Sequence, residues 1–403
     1  MLRTRQAMLG IALLAVTISM LPASAVAEPA PTARSLEQIV ADAVVARVGR
    51  STTEIAAAGR TLRTDVQRTD ATGAWAFGVG MLQAPAKPGE YPAAWLFLAQ
   101  RQQTGWSVAL ESTQEFLDLA AKAPATVFSA QERSTFESAW RAGRSGLLAL
   151  SNNTGLRLPY AVGATWTMGG GPHGWGGSES PFSSVDLSGG DGIVRAAGAG
   201  SVYTMCADSS NGGTAGGWRR VYHASGYTTD YYHLWNLTGL GASVNEGDAL
   251  GNIGVNLCAG GSASGPHVHW GILSGTTRVA WHWRSAGKWV FWAGAAYGGY
   301  ALHGSTQANV GTGLYNYGAL GLNQGIIDAW GSGTINKRSG PGTGYGIVGS
   351  VADGTTVTIS CWRAGTSVGG RWGTTTTWDK LSDGTWISDA LIYTGVGTIG
   401  PNC

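Results

Sequence analysis

The chain has 403 residues, enough for two or three domains at roughly 150 residues each. Charged residues make up 12% of it, against about 25% in an ordinary soluble domain. Lys and Arg number 26 and Asp and Glu 24; without Arg3 and Arg5, which fall in a segment read below as removed, the balance is zero. That excludes a large electrostatic footprint for nucleic acid or an anionic membrane, and 43% hydrophobic residues exclude a charge-rich disordered protein.

Residues 1–27 read as a signal peptide. Arg3 and Arg5 give the positive start, residues 7–21 are mostly apolar, and Ala25-Val26-Ala27 is a small-x-small cleavage pattern. The apolar run is shorter than the roughly 20 residues that a spanning helix needs, and Pro22 closes it. The expectation is a secreted protein with no membrane association after signal removal.

Residues 28–150 form the next candidate unit. Leu36, Ile39, Val40, Ala43 and Val44 recur at helical spacing. Residues 74–83, 93–100 and 105–111 read as strands, and Ser112 with Glu115 and Ser129 with Glu132 fit capping boxes that open two helices. This α+β unit contains no histidine. Its place between a signal and a candidate catalytic domain suggests a prodomain or accessory domain; its composition equally fits a permanent structural domain.

Glycine marks the next boundary. Residues 28–155 hold 10 of the 64 glycines and residues 156–403 hold 53, together with 14 of the 18 tryptophans. Among many Thr, Val and Tyr, this predicts short strands joined by tight turns. Residues 145–160 read as a linker, in which the mature protein is expected to begin (145–157). Residues 156–305 read as a mainly β domain, 306–330 as a Gly- and Asn-rich linker, and 331–403 as a compact module of about five short strands. Turns at Gly340-Pro341, Asp353-Gly354 and Asp383-Gly384 punctuate that module.

The four cysteines are Cys206, Cys258, Cys361 and Cys403. Three pairings are open; Cys206–Cys258 with Cys361–Cys403 keeps each pair inside one candidate domain. A four-cysteine zinc site is the alternative, but no C-x-x-C spacing supports it.

All seven histidines lie between residues 173 and 303. His267-Val268-His269, if on a strand, places two imidazoles on one face about 7 Å apart, as one metal ligand beside one catalytic base would require. Alone, the pattern fits a wet strand face equally well. His173 precedes Asp186 by thirteen residues in a Gly- and Ser-rich stretch that lets them converge. Two nitrogen ligands, one carboxylate and one open position make a catalytic zinc pattern. His223, His282 and His303 read as structural, rim or surface residues.

Several segments in order carry a resemblance: LPYAVGATW near residue 158, GGPHGWGGSESPFSSVDLS, VYHASGYTTDYYHL and LCAGGSASGPHVHW. To about residue 290 the chain resembles the lysostaphin and beta-lytic metalloendopeptidase family, most of all its staphylolytic and beta-lytic branch. The resemblance implies an antiparallel, lysostaphin-like catalytic domain. It implies that His173, Asp186 and His269 bind one Zn²⁺, that His267 is the general base, and that His233 is the second catalytic histidine. His233 would stabilise the oxyanion with the metal; the two roles could be exchanged. Cys258, nine residues before His267, stands where this branch has a half-cystine, which supports Cys206 as its partner.

Asn336, Arg338, Ser339, Gly340 and Pro341, with WDKLSDGTWI at 378–387, resemble bacterial SH3-like cell-wall-binding domains. This implies a small β-barrel that binds peptidoglycan peptides; the alternative is a stabilising β-domain. The expectation is therefore a secreted, monomeric zinc metalloendopeptidase acting on Gly-containing cross-bridges of bacterial peptidoglycan. The alternatives are a non-catalytic peptidoglycan-binding protein and a zinc amidase or carboxypeptidase acting on another wall bond.

Overall fold

A computed structural model describes residues 34–145, 151–211, 214–331 and 333–403. The expected signal peptide lies outside these residues, as does part of the stretch in which the mature chain is expected to begin. The protein is mostly β.

Helix α1 (Leu36–Val48) opens on a capping box between Ser35 and Gln38 and closes on Gly49, whose φ of 65° is a left-handed cap. Helix α2 (Thr52–Ala57) precedes four antiparallel strands paired in chain order: β1 (Thr61–Thr69), β2 (Trp75–Gln83), β3 (Ala93–Gln102) and β4 (Gly105–Leu110). Leu36, Val40 and Val44 face this sheet at four-residue intervals. A Cβ on Gly80 would stand 2.8 Å from Val40 and 2.9 Å from Val44, so a bare backbone there lets α1 lie close. Two helices follow, α3 (Gln114–Lys122) and α4 (Ala130–Ser145).

Two local details distinguish the helix starts. The Ser129–Glu132 box forms, with the Ser129 amide donating to Glu132 and the Glu132 amide donating to Ser129. The Ser112–Glu115 box does not. Thr113 caps α3 instead by accepting from the Phe116 amide at 3.2 Å, and Ser112 takes a φ of 67°. The hydroxyl one position nearer the helix wins the cap.

The central unit begins with β5 (Asn153–Leu156), β6 (Thr165–His173), β7 (Ser184–Ser188), β8 (Ile193–Arg195), β9 (Gly200–Asn211), β10 (Thr214–His223) and β11 (Tyr227–Leu234). It continues with β12 (Ser243–Val244), β13 (Ala249–Asn252), β14 (Val268–Ser274) and β15 (Thr277–Arg278). Then come β16 (Ser285–Ala286), β17 (Trp289–Trp292), β18 (Tyr300–His303), β19 (Thr306–Asn309) and β20 (Gly313–Tyr315). Among the described residues the main sheet runs β12-β9-β10-β11-β14-β7-β6-β20, with β15 on β14. A smaller sheet runs β19-β18-β17-β16-β5.

Both faces of the main sheet are covered, which explains why β11 is buried along its whole length. Tyr227, Tyr231, Val221, Trp270 and Ile272 face one core, shared with Trp281 and Phe291. Trp218, Tyr222, Tyr232 and Tyr203 face the other, shared with Phe77, Val79, Phe128 and Phe136 of the N-terminal unit. The α+β unit thus lies on the sheet's second face; Phe136 and Tyr222 meet with ring centroids 4.7 Å apart.

Residues 306–330, expected as a linker, depart from that expectation. Strand β19 pairs with β18, β20 joins the main sheet on β6, and β21 (Gln324–Ile327) already belongs to the C-terminal sheet. There it joins β22 (Thr334–Arg338), β23 (Ile347–Ala352), β24 (Thr356–Gly370), β25 (Gly373–Leu381), β26 (Trp386–Ser388) and β27 (Ile392–Tyr393). Ile327, Ile335, Ile359, Leu381 and Ile387 form the core of this sheet. Disulfides link Cys206 to Cys258 and Cys361 to Cys403, with Cα separations of 5.9 and 5.4 Å.

Candidate metal centre

Register brings the candidate ligands together. Asp186 on β7 lies opposite His269 on β14, and Tyr232 on β11 lies opposite the other edge of His269. His173 ends β6, where irregularities between Met168 and Gly170 and between Gly170 and His173 bend the strand toward them. A Cβ on Gly170 would stand 2.6 Å from Asp186 Oδ2, so only glycine leaves that carboxylate its place.

The three ligand atoms form a small triangle. His173 Nε2 lies 3.3 Å from His269 Nδ1, His269 Nδ1 lies 2.9 Å from Asp186 Oδ1, and His173 Nε2 lies 3.6 Å from Asp186 Oδ1. A tetrahedral zinc ion with bonds of about 2.0–2.1 Å spaces its ligands about 3.3 Å apart. Two imidazoles and one carboxylate at these separations fit that ion. All the donor atoms of this set lie within 4.8 Å of one another.

The surroundings prepare the histidines for it. The Nδ1–H of His173 donates to the Gly171 carbonyl at 2.7 Å, which leaves Nε2 as the free lone pair. Burial pushes the His173 pKa down to about 4 against the pull of Asp186, and drives that of His269 well below the usual imidazole range. Both rings are therefore neutral near neutral pH, as metal binding would require. Tyr297 stacks on His173 at 3.9 Å between centroids, which fixes the ring's plane.

Two further histidines border the triangle. The Nε2 of His267 lies 3.6 Å from Asp186 Oδ1, and its Nδ1–H donates to the Gly265 carbonyl at 2.7 Å. His233 sits 4.8 Å from His267, ring to ring, and its Nδ1–H donates to the Asn256 carbonyl at 2.9 Å. Its Nε2 is buried with no protein partner. The His233 backbone has a φ of 67°, a region that non-glycine residues rarely occupy and that recurs at functional sites. Burial, reinforced by His267 and His269, pushes its pKa down to about 3.

The remaining histidines serve packing. His223 bonds Ala199 and Thr229, the His282 ring accepts from the Ala293 amide, and His303 donates to Lys288 and stacks on Tyr317.

Sequence reasoning missed the residues that roof the site. Tyr91, in the loop between β2 and β3, stacks on His269 with centroids 4.6 Å apart. Its hydroxyl donates to the Ser262 carbonyl, and Trp175 donates to the Pro92 carbonyl at 2.7 Å. Nothing in KPGEYP signals a contact with a histidine 178 positions away.

The chain also matches known proteins in sequence. The model described as "Peptidase family M23" matches residues 181–281, a span that holds Asp186, His233, His267 and His269. A beta-lytic metalloendopeptidase of Lysobacter enzymogenes is 33% identical over 133 residues, covering 30% of this chain and 70% of that protein. The chain belongs to peptidase family M23. Further family similarity appears in a beta-lytic metalloendopeptidase of Achromobacter lyticus, 34% identical over 147 residues, and in Protease LasA of Pseudomonas aeruginosa, 32% identical over 173. These matches cover 33% and 40% of this M23 chain but span only 36% and 35% of those two relatives.

Proposed function

We propose that this M23 protein is a secreted zinc metalloendopeptidase that cuts Gly-containing peptide bonds in bacterial peptidoglycan cross-bridges. The observation that carries the reading is the triangle of His173, Asp186 and His269, with ligand atoms spaced as tetrahedral edges, beside His267 and beside His233, whose buried Nε2 has no protein hydrogen bond. A zinc ion held there supplies Lewis acidity and makes water acidic enough to attack near neutral pH.

The chain's own groups do the rest. His267, more open to solvent than His233, accepts the proton of the attacking water at Nε2 and passes it to the leaving amine. His233 holds the same tautomer and offers an acceptor at Nε2, which suits orienting that water. The oxyanion role expected for it would need a protonated Nε2, and burial opposes that charge.

The N-terminal unit is read as a prodomain that closes this groove. The Ala84 amide donates to Ala259 at 2.9 Å and the Gly261 amide to Pro85 at 3.2 Å, so residues 84–92 lie along the 259–262 segment with Tyr91 over His269. Cleavage between about residues 145 and 157 would free the groove. The C-terminal sheet is read as an SH3-like module that holds the enzyme on the wall.

Digestion of purified peptidoglycan by the cleaved protein tests the reading. Mass spectrometry should find new glycine amino termini, absent with His269→Ala. New termini at the sugar–peptide amide would establish an amidase instead.

A further inference from the structure

Beyond the metal centre, the sheet face beneath the N-terminal unit carries a buried ion cluster. Arg220 on β10 donates from Nε to Asp230 Oδ1 at 2.7 Å and from Nη2 to Asp230 Oδ2 at 3.0 Å. Arg278 Nη2 donates to the same Asp230 Oδ2 at 2.8 Å, while its guanidinium lies 3.7 Å over the Trp175 ring. Two guanidinium groups therefore share one hydrogen-bonded carboxylate of the central unit, and Arg278 Nη1 has no hydrogen-bond partner. Glu179, also nearby, is bound by the Gly176 amide instead.

The missing carboxylate comes from the N-terminal unit. Glu111, at the end of β4 and fully buried, accepts from Arg220 Nη1 at 3.0 Å and from the Tyr222 hydroxyl. It also accepts from the Leu96 amide at 3.1 Å. Its contrast with Glu132 is informative. Glu132 also reaches the central sheet, at Tyr203, but is paired with Arg68 of its own unit. Glu111 has its hydrogen-bonded cation only across the interface. Departure of the N-terminal unit would leave Arg220 Nη1 and the Tyr222 hydroxyl as vacant donors on a face rich in aromatic rings. Held in place by Asp230 and flanked by aromatic rings, these donors are set to form charge-assisted hydrogen bonds to an anion that replaces Glu111.

The position fits a peptide in the groove. Asp230 lies opposite Gly271, two residues along β14 from His269, and Arg220 lies opposite Asp230. Two residues along a strand and one to two strands across place the pocket roughly 10 Å from the metal centre. About three residues of extended chain span that distance.

We propose that Arg220 and Tyr222 form a carboxylate-binding subsite of the peptidase groove, which Glu111 fills in the uncut chain and a free carboxylate of the substrate peptide fills after the N-terminal unit leaves. The proposal rests on the prodomain reading above. The ligand class is an acidic peptide: a Glu side chain or a free carboxyl end about three residues from the scissile bond. Arg220 and Tyr222 thereby set specificity at a distance from the metal, with Arg278 and Asp230 holding Arg220 in place.

The test uses the full-length protein, uncut and cut within residues 145–157, with both pieces left in solution. The probes are glycine-centred peptides in which Glu replaces Gln, one position at a time, two to four residues on either side of the scissile bond. The cut protein should prefer Glu at one position by about tenfold to a hundredfold in kcat/KM, carried mainly by KM, and Tyr222→Phe should shrink that preference. Equal cleavage of Glu and Gln peptides at every position would overturn the subsite while leaving the prodomain reading intact. Equal activity of uncut and cut protein would overturn the prodomain reading and the subsite with it.

Discussion

The Tyr91 ring lies almost flat on the His269 imidazole, 4.6 Å between centroids with planes inclined by 23°. A residue of the N-terminal unit thus covers a candidate metal ligand of the central unit. Aromatic pairs of this kind contribute about 1 kcal/mol beyond their buried area. Tyr91→Ala should raise the residual peptidase activity of the uncut chain about fivefold and leave that of the cut chain unchanged. Turnover of a pentaglycine peptide before and after cleavage reads both; an uncut variant no more active than wild type would remove Tyr91 from the closure.

His267 and His233 are assigned to proton handling and not to metal binding. His267→Ala should lower kcat by about 10²- to 10⁴-fold while the zinc content stays at the wild-type value. A variant that loses zinc and activity together would place His267 among the ligands. The same pair of measurements on His233→Ala ranks the two residues.

How much of this was legible in the sequence depends on the range of each signal. His267 and His269 stand two apart and His173 and Asp186 flank a Gly- and Ser-rich stretch, but that spacing fits a wet strand face as well; the resemblance to the lysostaphin and beta-lytic family is what groups the four. Tyr91 and Glu111 were not legible. Their partners lie 178 and 109 positions away, and only the docking of one folded unit on another creates the contact. Strand β1 was missed because TLRTDVQRT lacks apolar alternation; it is an edge strand held by its ladder to β2. Residues 306–315 are Gly- and Asn-rich and read as a connector, yet pairing to β18 and β6 makes them strands, a case of tertiary context overriding composition.

Acid should weaken the fold through His223, which lies outside the metal centre. Burial pushes its pKa down to about 4, against an ordinary value of 6.5. Between these values the unfolded chain holds a proton that the folded chain refuses. Its neutral state therefore costs nothing above about pH 6.5, and stability is lost as pH falls from there to about 4. The full shift corresponds to about 3 kcal/mol. The Tm of wild type should fall more steeply over that window than the Tm of His223→Gln; parallel curves would contradict the assignment.

The Cys206–Cys258 disulfide anchors the segment that carries Asn256, whose carbonyl accepts from His233. Closing a loop of 52 residues is worth about 4 kcal/mol in chain entropy. Replacing both cysteines with serine should lower the denaturation midpoint accordingly and also reduce kcat, because the His233 ring loses its fixed support. A double variant with lowered stability but unchanged kcat would separate the disulfide from the site.

The central claim is that His173, Asp186 and His269 together hold one zinc ion. Elemental analysis of the full-length protein after exhaustive dialysis against metal-free buffer tests it most directly. Wild type should retain one zinc per chain, and His173→Ala, Asp186→Ala and His269→Ala should each retain far less while still folded by circular dichroism. Folded variants that keep one zinc per chain would contradict the account.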